Sequence, residues 1–158
     1  TSKNFTEGNK KKMTYDELAG SVKLSEGFRD HVYMDTEGFA TIGWGHKVTP
    51  DDNFEEGKTY TKEELQEVFD KDLNNAIGKA RTLMENNGVT DLPTTAQHTL
   101  TEMVFQLGPT GVSKFKNMWK CLQNRDFNGA SLEMLDSRWN RQTPNRCKKL
   151  SDQMKSCA

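Results

Sequence analysis

The chain has 158 residues, enough for one compact unit or for one divided into two lobes across a cleft. Charged residues make up 28 % and hydrophobic ones 33 %, which fits a soluble globular protein with a modest core and leaves no apolar run near the ~18 residues of a membrane helix. A net charge of −1 excludes a nucleic-acid binder that works by bulk electrostatics, so neither nucleic acid nor membrane insertion is expected.

Residues 1–13 lack periodicity and are rich in Asn, Lys, Gly and Thr, which reads as a linker or tail, with the Lys10–Lys12 run as its solvated part. The polar start shows no secretory signal pattern. Thr1 is not an initiator methionine, so the reading expects a processed chain or a piece of something larger. Thr14 and Glu17 then form a capping box, and Tyr15, Leu18, Ala19 and Val22 recur at helical spacing, with Glu26 one turn further along that face. From His31 to His46, Tyr33, Phe39, Ile42 and Trp44 interleave with small and polar residues around the turn residues Thr36-Glu37-Gly38, which predicts a small antiparallel sheet. Pro50 to Lys58 is a polar loop.

Thr61 and Glu64 make a second capping box, and the stripe Leu65, Val68, Phe69, Leu73, Ala76, Ile77 and Ala80 predicts a helix of about five turns that could join two lobes. Further helices start at Leu92-Pro93-Thr94, stopping at Gly108-Pro109, and are marked by Phe115, Met118, Trp119 and Leu122 and by Phe127, Ala130, Leu132 and Leu135. Thr143-Pro144 reads as an N-cap and N1 pair opening a last helix with Cys147, Leu150 and Met154 inward. Strands confined to one early segment, with helices elsewhere, make the fold class α+β. The expected layout is a β-rich lobe at 28–60, a connecting helix at 61–82, and a helical lobe at 83–158 with 14–26 packed near it. Cys121, Cys147 and Cys157 lack the close pairs of a zinc site, leaving free thiols or one disulfide plus a spare thiol.

One run concentrates chemistry. Glu26 and Asp35 are separated by eight residues, and Thr41 follows Asp35 after five more. Glycoside hydrolysis needs one carboxyl to protonate the leaving oxygen and a second to activate water or attack the sugar. A hairpin folded against a helix end can bring these groups to one cleft.

The run Glu26-Gly27-Phe28, Asp35-Thr36-Glu37-Gly38 and Thr41-Ile42-Gly43-Trp44-Gly45-His46 resembles the phage-type lysozymes, the group that includes those of the T-even phages. The likeness continues at Met103-Val104-Phe105-Gln106-Leu107-Gly108, at Thr110-Gly111-Val112, and at Ser137-Arg138-Trp139 with Gln142-Thr143-Pro144-Asn145-Arg146. It spans about Tyr15 to the C-terminal helix, in four ordered blocks. The resemblance implies a lysozyme fold of a small sheet lobe and a helical lobe, and peptidoglycan glycan strands as substrate. The bond cut would be the β-1,4 link between N-acetylmuramic acid and N-acetylglucosamine, with inversion. It implies Glu26 as general acid, Asp35 as the carboxylate that steadies the transition state and places the water, and Thr41 as the hydroxyl that holds it. It further implies substrate contacts by Glu37, Lys47, Phe105, Gln106 and Arg138, an ion pair of His46 with Asp72, and Arg146 as a partner of the catalytic glutamate. Phe105 and Trp139 are expected to pack beneath the cleft. No cofactor and no metal are implied.

Two departures from the family pattern shape the expectation about delivery. Free members are strongly basic, whereas this chain is near neutral, and Lys47 and Met118 stand where other members carry different side chains. With the polar tail, this suggests a domain carried by a phage tail or baseplate that acts in the host periplasm, with other tail proteins or an inhibitory protein as partners. The rival readings are a free endolysin held in the host cytoplasm before release, a non-catalytic peptidoglycan-binding tail domain, a chitosan-cleaving relative, and a lytic transglycosylase.

Overall fold

The computed structural model describes residues 15–158; the expected tail at 1–13 and the capping Thr14 lie outside the described residues. Among the described residues the elements run α1 (Tyr15–Glu26), β1 (Arg29–Met34), β2 (Ala40–Gly43), β3 (His46–Lys47), α2 (Lys62–Asn86), α3 (Thr94–Ser113), α4 (Lys116–Gln123), α5 (Phe127–Leu135), α6 (Arg138–Gln142) and α7 (Pro144–Lys155). Among the described residues strands occur only between α1 and α2, so the architecture is α+β. The chain divides into two compact units: Ala19–Asn75, and the described residues up to Leu18 together with Ala76–Ala158.

The first unit is built on the antiparallel sheet β1-β2-β3. Its register pairs Tyr33 with Thr41 and Thr41 with Lys47, while Ile42 faces His46; an irregularity interrupts the β1–β2 ladder between Arg29 and Tyr33. Side chains directly opposite on neighbouring strands point to the same face, so Tyr33, Thr41 and Lys47 form one row across the sheet. Ile42, Trp44, Leu65, Phe69 and Leu73 are buried. The Trp44 ring touches those of Phe28 and Phe69, and the Lys23 ammonium lies 4.1 Å from the Trp44 ring centroid while bonding to Gln66. Trp44 therefore works as core from the β2–β3 turn rather than from a strand. Phe39 lies in the turn between β1 and β2 and is 51 % exposed.

Helix α2 starts as its sequence dictates. The Thr61 hydroxyl accepts from Glu64 N at 3.1 Å, and the Glu64 carboxylate accepts from Thr61 N at 2.9 Å. It runs 25 residues, past the expected end, until Gly88 at φ 70° supplies the left-handed backbone that ends it.

The helical unit has one continuous core, which includes Leu100, Met103, Met118, Leu122, Met134, Trp139, Leu150 and Met154. The stop at Gly108-Pro109 is real as backbone: Gly108 sits at φ 81°, ψ 159° inside α3, so two helical stretches meet there and the second continues to Ser113. In α5 the buried residues are Phe127, Ala130, Ser131 and Met134, whereas Leu132 is 65 % exposed. A helical period carries Leu132 away from the face that Phe127 and Met134 share. Thr143 does precede α7, but its side chain makes no cap bond. Its hydroxyl instead donates to the Trp139 carbonyl and accepts from Gln106 Nε2 at 3.2 Å. Cys121, Cys147 and Cys157 are all free thiols, and burial pushes the Cys147 thiol up to about 11.

Candidate active site

Glu26 is the last residue of α1, where the helix gives way to Gly27 at φ 72° and then β1. Its carboxyl is aimed at the β2–β3 turn. A Cβ placed on Gly45 would lie 2.3 Å from Glu26 Oε1 and 2.8 Å from its carboxyl carbon. Position 45 also has φ 75°. Two independent demands therefore meet in one residue: the left-handed backbone of the turn, and the space the carboxyl occupies.

Asp35 follows β1 and begins the turn that leads to β2. Its Oδ1 accepts from Glu37 N at 2.9 Å and Phe39 N at 2.8 Å, while Asp35 N donates to the Phe39 carbonyl at 2.9 Å. The turn chemistry read from Asp-Thr-Glu-Gly thus comes from the aspartate itself, whose carboxylate replaces a strand partner. The Phe39 N–H holds the Asp35 carboxyl below the ordinary range; burial works against this, and the Glu37 N–H, the Lys47 charge and Gly38 N add to the lowering. Asp35 is therefore an ionised carboxylate with a fixed plane.

Thr41 lies in β2 and is 3 % exposed, and its hydroxyl donates to the Phe39 carbonyl at 2.9 Å. With its one proton committed there, the oxygen can only accept from a water. The Phe39 backbone consequently anchors both groups, Asp35 through its N–H and Thr41 through its C=O. Tyr33, opposite Thr41, has its phenol raised by burial and by the charges of Glu26 and Asp35, against the lowering effect of Arg29. The charges of Glu26 and Asp35 both act on this one phenol.

On the other face of β3, His46 is clamped. Its Nδ1 lies 2.7 Å from Asp72 Oδ2 on α2 and its Nε2 lies 2.9 Å from Asp52 Oδ2. A neutral imidazole can donate from one nitrogen only, so two carboxylates favour the imidazolium. The Asp72 bond raises the His46 pKa to about 8, burial opposes it, and Asp52 adds to the rise. For Asp52, burial pushes upward, but bonds from Thr49 N and from His46 outweigh it and hold the carboxyl low. Sequence reading named Asp72 but missed Asp52, whose only signal was the Asp51-Asp52 pair in a polar loop.

The remaining expected site residues belong to the helical unit. Trp139, 4 % exposed, donates from Nε1 to Gln106 Oε1 at 2.9 Å, and Gln106 passes the chain on to Thr143. Phe105 packs against the core of this unit. Arg138 lines a groove of about 490 Å³ together with Lys114, Phe115, Met118, Glu133 and Trp139. Arg146 is carried on α7. Glu37 and Lys47, by contrast, are with the carboxylates in the sheet unit. Lys114 and Glu133 were not singled out from sequence, since an exposed charge on a helix carries no local mark of a groove.

Comparison with known proteins shows the family to which the chain belongs. The phage lysozyme family model matches residues 23–155. The chain is 33 % identical over 153 residues to a probable T4-type lysozyme 2 of Dictyostelium discoideum, covering 82 % of this chain and 88 % of that protein. It is 28 % identical over 121 residues to the peptidoglycan hydrolase gp36 of Pseudomonas phage phiKMV, covering 77 % of this chain and 13 % of that protein. It is also 28 % identical over 154 residues to the pre-baseplate central spike protein Gp5 of Enterobacteria phage T4, covering 85 % of this chain and 27 % of that protein. A family match across most of the length, over a sheet that groups an acidic helix end, a fixed carboxylate and a buried hydroxyl, makes this chain a glycoside hydrolase belonging to the phage lysozyme family.

Proposed function

We propose that the chain is an inverting muramidase that hydrolyses the β-1,4 bond between N-acetylmuramic acid and N-acetylglucosamine in bacterial peptidoglycan. The observation that carries this reading is the double anchorage on Phe39, which fixes an ionised Asp35 and orients the Thr41 hydroxyl as an acceptor. In the reaction, Glu26 gives its proton to the glycosidic oxygen as the bond to the sugar lengthens. Asp35 balances the developing oxocarbenium charge and takes a proton from the attacking water, which Thr41 holds by accepting a hydrogen bond. Inversion requires room for that water, a carboxyl separation of about 6.5–9.5 Å. Glu26 must hold a proton near neutral pH, which the acid role demands of its surroundings. In the sheet unit Glu37 would contact the glycan or its peptide, with His46 and Asp72 in support; in the helical unit Phe105, Gln106 and Arg138 would do so, with Arg146 in support.

The test is digestion of purified peptidoglycan followed by product analysis. Reducing muramic acid ends, appearing first as the α anomer, are the expected outcome. Anhydro ends would make the enzyme a lytic transglycosylase, and a first-formed β anomer would overturn inversion.

For delivery, the phage relatives favour a domain carried in a virion tail: Gp5 is by its name a baseplate spike protein, and only about a quarter of it is matched. Such a domain would open the wall locally, in the periplasm, beside other tail proteins. The Dictyostelium relative, matched over most of its length, favours a second reading as a free-standing lysozyme. Mass spectrometry of purified virions separates the two, because only the first requires this sequence in the particle.

A further inference from the structure

Lys47 stands beside the proposed carboxylate and hydroxyl in the sheet unit, and the catalytic roles leave its chemistry unused. It stands opposite Thr41 in the β2–β3 register, in the same cross-strand row as Tyr33. Its Nζ lies 3.9 Å from Asp35 Oδ2 and 4.3 Å from the centroid of the Phe39 ring. Oδ1 of the same carboxylate takes the two backbone N–H bonds from Glu37 and Phe39. The two oxygens therefore see different surroundings: one is pinned by the turn, and the other faces a cation.

At 3.9 Å the ammonium is within ion-pair range but beyond hydrogen-bonding distance. It acts on Oδ2 through charge and leaves that oxygen's lone pairs for a water. The aromatic face beneath holds the ammonium in place, which an exposed lysine otherwise does at an entropic cost. The neighbouring residue supports this from the other side of the strand, since His46 is fixed by Asp72 and Asp52 and so sets the position of β3.

Resting on the muramidase reading, we propose that Lys47 is a positioning residue for the reaction: seated on Phe39, it keeps Asp35 charged and aimed at the water without competing for it. This differs from the substrate contact expected of Lys47 from the family resemblance. A lysine that touches sugar acts on binding at every pH. A lysine that acts through Asp35 acts where Asp35 takes up its proton, at the acid limb of the rate profile. Other ionisable groups around Asp35 do not mimic this. Tyr33 from β1 has its phenol pushed up and stays neutral there. Glu37 meets the carboxylate through its backbone N–H, and Glu26 keeps the proton-donor role proposed above.

The experiment is the pH dependence of kcat and KM for wild type, Lys47→Met, Lys47→Arg and Lys47→Glu on purified peptidoglycan, with urea midpoints as a check on folding. Lys47→Met should move the acid limb to higher pH, with kcat on that limb roughly threefold lower at low salt and little changed on the plateau. Lys47→Glu should move it further, Lys47→Arg should restore it, and added salt should shrink the difference. An acid limb common to all four enzymes, or a loss confined to KM at every pH, overturns the proposal. A second readout needs no catalysis: the 13C titration of the Asp35 carboxyl should have a higher midpoint in Lys47→Met than in wild type, and equal midpoints refute it. If wild type and Glu26→Gln are equally inactive, the muramidase reading fails by itself, while the titration still decides whether Lys47 acts on Asp35.

Discussion

Replacing Asp72 by Asn tests the His46 clamp. The imidazole is raised from 6.5 to about 8, and at about 1.36 kcal/mol for each pH unit this linkage amounts to about 2 kcal/mol. The His46 side chain is only 15 % exposed, so solvent screening removes little of that. The sign follows from the direction of the shift. The folded pKa lies above the unfolded one, so the contribution is fully present below about pH 6.5 and disappears as pH rises through about 8. The Asp72 bond is the largest cause of the rise and burial opposes it. Asp72→Asn should therefore remove about 1–2 kcal/mol near pH 6 and very little near pH 9.5. For a chain of this length that is a fall in Tm of about 3–6 °C at the lower pH. Urea unfolding of wild type and variant between pH 5.5 and 9.5 measures it. A variant equally destabilised at both ends, or a wild-type His46 ring that titrates near 6.5 by NMR, would refute the clamp.

Three other substitutions probe the rest of the molecule. Gly45→Ala should cost about 1–2 kcal/mol for its left-handed backbone and at least about 10²-fold in rate, because the new methyl displaces the Glu26 carboxyl; melting curves and wall digestion separate the two effects. Thr41→Val keeps the side-chain shape and loses one hydrogen bond, so stability should fall by about 1 kcal/mol. Its activity should fall about 10²-fold, and near wild-type turnover would remove Thr41 from the reaction. Leu150→Ala, at a fully buried position of α7, should cost about 2–5 kcal/mol in denaturant unfolding while the surviving folded fraction keeps its kcat.

How far the sequence reaches depends on whether a residue's partner is local. The α2 capping box was legible because Thr61 and Glu64 are three residues apart and satisfy each other. The Asp35 turn was legible for the same reason. The α+β class followed from a change of period, and Gly108 announced the break in α3. Phe39 and Leu132 helped to mark a sheet and a helix, but apolar character alone does not reveal that Phe39 lies in the turn before β2 or that Leu132 takes the outer face of the nine-residue α5. Asp52, the second carboxylate on His46, could not be found that way, since an acid in a polar loop looks like any solvated charge until the fold returns it to β3. Lys47 posed a similar difficulty: its role rests on cross-strand register, which the sequence suggested in outline but did not number. Thr143 sat at the expected helix start, yet its hydroxyl was drawn to Trp139 and Gln106 rather than to α7.

Whether Glu26 donates the proton decides the whole account, because the turn, the Gly45 vacancy and the Phe39 anchorage acquire a purpose only around it. The direct measurement is the initial rate at which wild type and Glu26→Gln release reducing muramic acid ends from purified peptidoglycan near neutral pH, with both proteins shown to be folded. The amide cannot supply the proton, so the variant should be slower by about 10²–10⁴-fold. A folded Glu26→Gln enzyme releasing those ends at the wild-type rate would contradict the assignment.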